Sequence, residues 1–85
     1  MNRISEDIYR WKLRNDEPYE GIVECFVFGS QEYTTKYVKG DNLHRIDGPA
    51  LILWNGKEKY FIEGIETTKE AQELYHSLMK LKGLL

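Results

Sequence analysis

Two glycine-bracketed strands at a common spacing constrain this chain more than any other feature. Gly21-Ile22-Val23-Glu24-Cys25-Phe26-Val27-Phe28-Gly29 and Gly48-Pro49-Ala50-Leu51-Ile52-Leu53-Trp54-Asn55-Gly56 each hold a largely apolar run between two glycines. A shift of 27 residues places Asn15 on Asn42, Gly21 on Gly48 and Gly29 on Gly56. Downstream, Lys36-Tyr37-Val38-Lys39-Gly40 recurs as Lys59-Tyr60-Phe61-Ile62-Glu63-Gly64 with one residue inserted. A strand–turn–strand–turn unit of this size cannot bury its own face and gains a core only by stacking on its neighbour.

The rest of the chain is read around that repeat. From Ile8 to Arg14, Tyr9, Trp11 and Leu13 alternate with Arg10, Lys12 and Arg14, which predicts a strand over 8–14. A helix competes there, because Ile4, Ile8 and Trp11 also fit helical spacing. Further strands are expected over 21–28, 32–39, 49–54 and 58–63, with turns at Asn15–Pro18 and Gly40–Asn42. Asn55-Gly56 is expected to form a two-residue type I′ turn. After Gly64 the period changes. Ala71, Leu74, Tyr75, Leu78 and Leu81, flanked by Met79, predict an amphipathic helix over 68–82. Thr67 and Glu70 have capping-box spacing, Gly83 suits the stop, and His76 lies opposite the stripe, toward solvent. The expected fold is α+β: a five-stranded antiparallel β-meander of hairpin repeats with one C-terminal amphipathic helix packed on one face, in a single domain over 1–85.

Composition removes several functional classes. Twelve Lys and Arg against 14 Asp and Glu give a net charge of −2, which argues against strong non-specific DNA binding. One Cys cannot form an internal disulfide. No apolar run is long enough to span a bilayer, and the first residues lack the apolar segment of a signal peptide, so cytoplasm is the expected location. Cys25, His44 and His76 share no ligand spacing, and there is no phosphate loop, nucleophile elbow or paired-carboxylate signature. No metal, cofactor, small-molecule substrate or enzymatic activity is expected.

Leu43-His44-Arg45-Ile46-Asp47-Gly48-Pro49-Ala50, followed by Trp54-Asn55-Gly56-Lys57-Glu58-Lys59-Tyr60, resembles the repeat "LHRxDGPA…DGxKxWyxnG" of many bacteriophage and bacterial proteins, loosely related to MORN-type repeats. The likeness covers about a third of the chain, and the flanking copies are degenerate: Asp16–Gly21 replaces the signature upstream and Ile65–Thr68 downstream. The resemblance implies hairpin units, one full repeat between atypical caps, and no catalytic residues. Read as chemistry, His44, Arg45 and Asp47 would be a base, an anion clamp and an acid. At i, i+2 a local Arg45–Asp47 ion pair, or Asp47 accepting turn N–H groups, is the expected reading. Gly48 before Pro49 is expected to supply a backbone conformation open to few residues.

The doubly apolar strands carry the functional expectation. Val23, Cys25 and Val27 are placed on one face with Ala50, Ile52 and Trp54. Ile22, Phe26 and Phe28 are placed on the other with Leu51 and Leu53. One helix covers one face, so the second points to strong curling of the sheet, a protein partner or a homodimer. The expected function is a small non-enzymatic protein-binding module, which the resemblance narrows to a phage-encoded inhibitor of a host defence or toxin protein in the host cytoplasm. The alternative is RNA binding through Arg10, Lys12 and Arg14 with Tyr33, Tyr37, His44 and Arg45 as an aromatic–basic platform. A structural oligomerisation module is the third reading.

Overall fold

The computed structural model describes residues 2–26 and 33–83. In chain order its elements are β1 (Arg3–Ser5), α1 (Glu6–Arg14), β2 (Glu20–Phe26), β3 (Tyr33–Lys39), β4 (Asn42–Leu43), β5 (Leu51–Ile52), β6 (Glu58–Ile62), β7 (Ile65–Thr67) and α2 (Lys69–Leu81). The strands lie in the order β1-β2-β3-β5-β6-β7, with β4 also paired to β3. The α+β class is as expected. The sheet is mixed rather than purely antiparallel, because β1 pairs in parallel with β2. Two helices are present rather than one.

The region 8–14 is helix, not strand. Ser5 caps it, its hydroxyl accepting from the Ile8 N–H at 3.3 Å. Glu6 and Asp7 sit in the first turn and Lys12 and Arg14 in the last, the signs that favour the helix dipole at each end. At the far end Asp16 adopts φ 53°, and the Glu17 N–H returns to the Lys12 carbonyl at 2.9 Å, closing the last turn in Schellman fashion. These terminal interactions outweigh a period-two pattern that spans only seven residues. Within α1 only Tyr9 is buried.

The core follows from register. Ile4 pairs with Val23, Gly21 with Val38, and Val38 with Leu43, so Ile4, Val23, Val38 and Leu43 share one face. Tyr9 of α1 lies over it beside Val23 and Val38, with Ile4, Tyr19 and Leu43 packed around them. The Tyr9 hydroxyl donates to the Gly40 carbonyl at 2.7 Å, tying α1 to the far end of β3.

β4 and β5 lie in sequence along the same side of β3, both antiparallel to it. They are two pieces of one strand, interrupted by residues 44–50. Both ends of the interruption bond the same residue: the His44 N–H donates to the Tyr37 carbonyl at 2.9 Å, and the Tyr37 N–H donates to the Ala50 carbonyl at 2.8 Å. This excursion, with Pro49 lacking a donor, leaves the fourth expected strand only Leu51 and Ile52 of its span 49–54.

Turn types also differ from expectation. At Asn55-Gly56 only Gly56 has positive φ, 85°. Gly56 N–H bonds the Leu53 carbonyl at 2.9 Å and Leu53 N–H bonds the Lys57 carbonyl at 2.8 Å, a three-residue loop with glycine in the left-handed position. The two-residue type I′ geometry lies instead at Glu63-Gly64, with φ 49° and 83° between the paired Ile62 and Ile65. That turn creates β7, a strand not expected from the sequence. The echo of β3 in β6 is nonetheless structural: each ends in a tight turn and a short antiparallel partner, β4 or β7.

α2 begins one residue later than the capping box proposed. Thr68 is the cap, accepting from the Ala71 N–H at 3.1 Å, so Ala71 rather than Glu70 occupies the third helical position. Gly83 follows the last turn at φ 70°.

Removing the Tyr9 hydroxyl tests the α1 anchor. Tyr9→Phe should cost about 1 kcal/mol, lowering the melting temperature by roughly 4–8 °C in thermal denaturation. A pH effect follows as well. Burial, and then the carboxylates of Asp41 and Glu6, raise the Tyr9 phenol above its ordinary value. The neutral phenol is thus favoured by folding, and its contribution is complete below about pH 10 and lost as pH climbs through the raised value. Wild-type stability should fall in that alkaline window, and the fall should be shallower in Tyr9→Phe.

Candidate functional site

Residues 44–50 form a densely bonded surface segment. The Arg45 guanidinium lies over the Tyr37 ring, its Cζ 3.9 Å from the centroid. Its Nε donates to Asp47 Oδ1 at 3.0 Å and its Nη1 to the Pro49 carbonyl at 3.1 Å. The expected Arg45–Asp47 pair is therefore present. The Arg45 N–H bonds the Phe61 carbonyl at 3.1 Å, and the Gly64 N–H bonds the Leu43 carbonyl at 2.8 Å. His44 Nδ1 accepts from the Glu63 N–H at 2.8 Å and so holds the β6–β7 turn. From above, Gln72 of α2 donates through Nε2 to the carbonyls of Arg45 at 2.6 Å and Gly48 at 2.5 Å.

This arrangement accounts for the signature residues as joinery. The His44 nitrogen that a base would use is an acceptor within the fold, and Arg45 is engaged by a ring, a carboxylate and a carbonyl. Gly48 has a steric role, not the conformational one expected. A Cβ there would stand 2.7 Å from Arg45 Cζ, so glycine makes room for the stacked guanidinium. A cleft of about 230 Å³ lies alongside, lined by Glu20, Tyr37, Val38, His44, Arg45 and Asp47.

The expected apolar partner face does not assemble. Ile22 pairs with Tyr37, whereas Val23 pairs with Lys36 and Lys36 with Leu51. Leu51 therefore shares the face of Val23, opposite Ile22. The repeat offset misplaces it because register passes through β3, not directly from β2 to β5. Ile22 is buried at 5% exposure, and Leu51 and Leu53 are half-buried. Phe26 is 66% exposed and borders a shallow groove with Ile4 and Ile8. Phe28 lies outside the described residues.

The aromatic–basic platform is also divided. Arg10, Lys12 and Arg14 belong to α1, which covers the Val23–Val38 face. Tyr33 and Tyr37 pair with Phe26 and Ile22 and so occupy the other face. Arg10 pairs with Glu6 at 3.5 Å and Lys12 with Glu17 at 3.4 Å, while Arg45 is held as described.

The surface that sequence reasoning missed is on α2. The helix lies against β6, with Gln72 buried and bonded to the 44–50 segment and with Tyr75, His76 and Met79 half-buried on the same side. His76 is thus turned inward, contrary to expectation. Of the stripe expected to dock, Tyr75 and the flanking Met79 turn inward but the rest is left outside: Leu74, Leu78 and Leu81 are 63%, 47% and 84% exposed, and Ala71 is exposed beside them. At 100° per residue the two sides are centred roughly 130° apart. Ile65 of β7 is also exposed, on the strand leading into this helix. The available signal was the interval 3-4-3 from Ala71 to Leu81, the narrow seam of helix–helix pairing rather than the wider stripe of a helix lying on a sheet.

Comparison with family models, with characterised proteins and with solved structures returned no match. Among the described residues no helix is long and apolar enough to cross a membrane, and no three His, Cys, Asp or Glu side chains are grouped to hold a metal ion.

The steric role of Gly48 has a measurable signature. Gly48→Ala should cost about 1–2 kcal/mol by displacing Arg45 from Tyr37 and its hydrogen bonds. In an Arg45→Ala background the same change should cost less than about 0.5 kcal/mol, giving a coupling readable by denaturant titration in a double-mutant cycle. Gln72→Ala should cost about 1–3 kcal/mol, since it leaves two carbonyls without their donor.

Proposed function

We propose that this protein is a small non-enzymatic protein-binding module and that association runs through the outward stripe of α2. The observation that carries the reading is the orientation of that helix. Its polar Gln72 is buried against the sheet side while three leucines face outward, the reverse of what a helix serving only its own core would do. Three leucines in one row on a short helix form an apolar surface that gains roughly 1.5–3 kcal/mol per side chain when covered. The bonds made by His44 Nδ1, Arg45 Nε and Nη1, and Asp47 Oδ1 all serve to hold the loop, which supports a structural role for these residues beside this reading. The resemblance of residues 43–60 to bacteriophage repeats supports the narrower reading of a phage-encoded inhibitor acting on a host defence or toxin protein in the host cytoplasm.

The test is co-purification after nuclease treatment, with tagged protein expressed beside an untagged copy in a bacterial lysate. Wild type should retain a second polypeptide, and Leu74→Ser/Leu78→Ser should lose it while keeping its melting temperature within about 3 °C, as expected for surface positions. Retention of the same polypeptide by the double variant would overturn the role of α2. Its loss on nuclease treatment of wild type would favour RNA as the link.

A further inference from the structure

We infer that the α2 stripe is covered by a second copy of this chain, the two helices packing antiparallel about a two-fold axis near residue 76. The inference rests on the protein-binding reading above and names the partner. Three observations support it.

The first is spacing. Ala71, Leu74, Leu78 and Leu81 follow 3-4-3 intervals, so they form a seam of a and d positions suited to knobs-into-holes packing with another helix. The second is shape. In an antiparallel pair centred on residue 76, Leu74 meets Leu78 of the second copy in the two central layers, and small Ala71 meets large Leu81 in the two outer ones, so each outer gap is filled by a bulk. A parallel pair would instead stack Ala71 on Ala71 and leave a void. The third is the backbone. Antiparallel alignment sets the positive end of each helix dipole beside the negative end of the other, whereas parallel alignment sets like ends together. The surface is therefore complementary to itself, as a two-fold interface requires.

The interface is small. A helix of 13 residues is about 20 Å long, and a single pair covers less than the roughly 800 Å² per partner of standard interfaces, so a dissociation constant of ~10–100 µM is expected.

Sedimentation equilibrium of the purified chain, across that range and at low salt, tests the proposal together with thermal unfolding at about 2 µM, where self-association contributes little to stability. Wild type should be a reversible dimer, and Leu78→Lys should be monomeric at every concentration with an unchanged melting temperature at 2 µM. Ala71→Leu should weaken the dimer about three- to tenfold by overfilling the layer shared with Leu81 of the second copy, and Ala71→Leu/Leu81→Ala should restore it to within about twofold by exchanging gap and bulk. A wild-type monomer whose Leu78→Lys variant melts normally would overturn self-association but leave α2 a surface for a different protein. A wild-type monomer whose Leu78→Lys variant melts many degrees lower would overturn both, since the stripe would then be packing within its own chain. A dimer insensitive to Leu78→Lys, or one not restored by the Ala71–Leu81 exchange, would overturn the antiparallel α2 interface.

Discussion

The stacking of Arg45 on Tyr37 is the interaction on which the middle of this structure depends. Tyr37 is the one residue of β3 that bonds both ends of the excursion at 44–50, and its ring is where the excursion folds back. Interrupting a strand for seven residues exposes backbone groups that the sheet would otherwise satisfy. The excursion answers this locally: Arg45 takes the Pro49 carbonyl, Gln72 takes the carbonyls of Arg45 and Gly48, and β6 takes the Arg45 N–H. The loop thus connects β3, β6, the β6–β7 turn and α2. It is a joint made from polar bonds, in a chain whose described apolar core is little more than Tyr9, Val23 and Val38 with their neighbours.

Much of this was legible in the residues, and the parts that were not have identifiable causes. β2, β3 and β6 were read close to their bounds because glycines or tight turns close them and their side chains are β-branched or aromatic. The bounds of α2 followed from its period and from Gly83, although the cap is Thr68 rather than the Thr67 of the capping-box spacing. The Arg45–Asp47 pair was foreseeable from two residues of opposite charge at i, i+2. α1 was misread because seven alternating residues fit either period. Ser5, with Glu6 and Asp7 after it and Lys12 and Arg14 at the end, was the stronger signal. The turn at 62–65 was missed because Glu63 does not advertise positive φ, whereas Asn55-Gly56 does. The breadth of the interruption at 44–50 could not be read at all, since it depends on a stacking partner in another strand.

The outward leucines of α2 follow from the same joint. A helix that rested on the sheet through apolar side chains alone would turn its leucine stripe inward. Here the docking side is chosen by Gln72, whose amide reaches two carbonyls of the excursion, and Tyr75, His76 and Met79 follow on that side by helical spacing. Two hydrogen bonds to partly buried acceptors are of the same order as burial of one leucine. The adjoining half-buried side chains tip the orientation further. The polar needs of a loop thereby set which side of a neighbouring helix faces the surroundings.

The lengths of the outermost strands bear on a different property. β1 and β7 close the sheet at its two ends, and each is three residues long and runs into a helix, directly or through its capping residue. About 10 Å of free backbone is too little to template an added strand, and the charged side chains of Arg3 and Glu66 sit within it. A β-rich protein with apolar strands ordinarily risks edge-to-edge growth into fibres. In this fold the short, charged outer strands disfavour such growth, and the association proposed for α2 would instead run through helix side chains, where assembly can stop at a fixed number of copies.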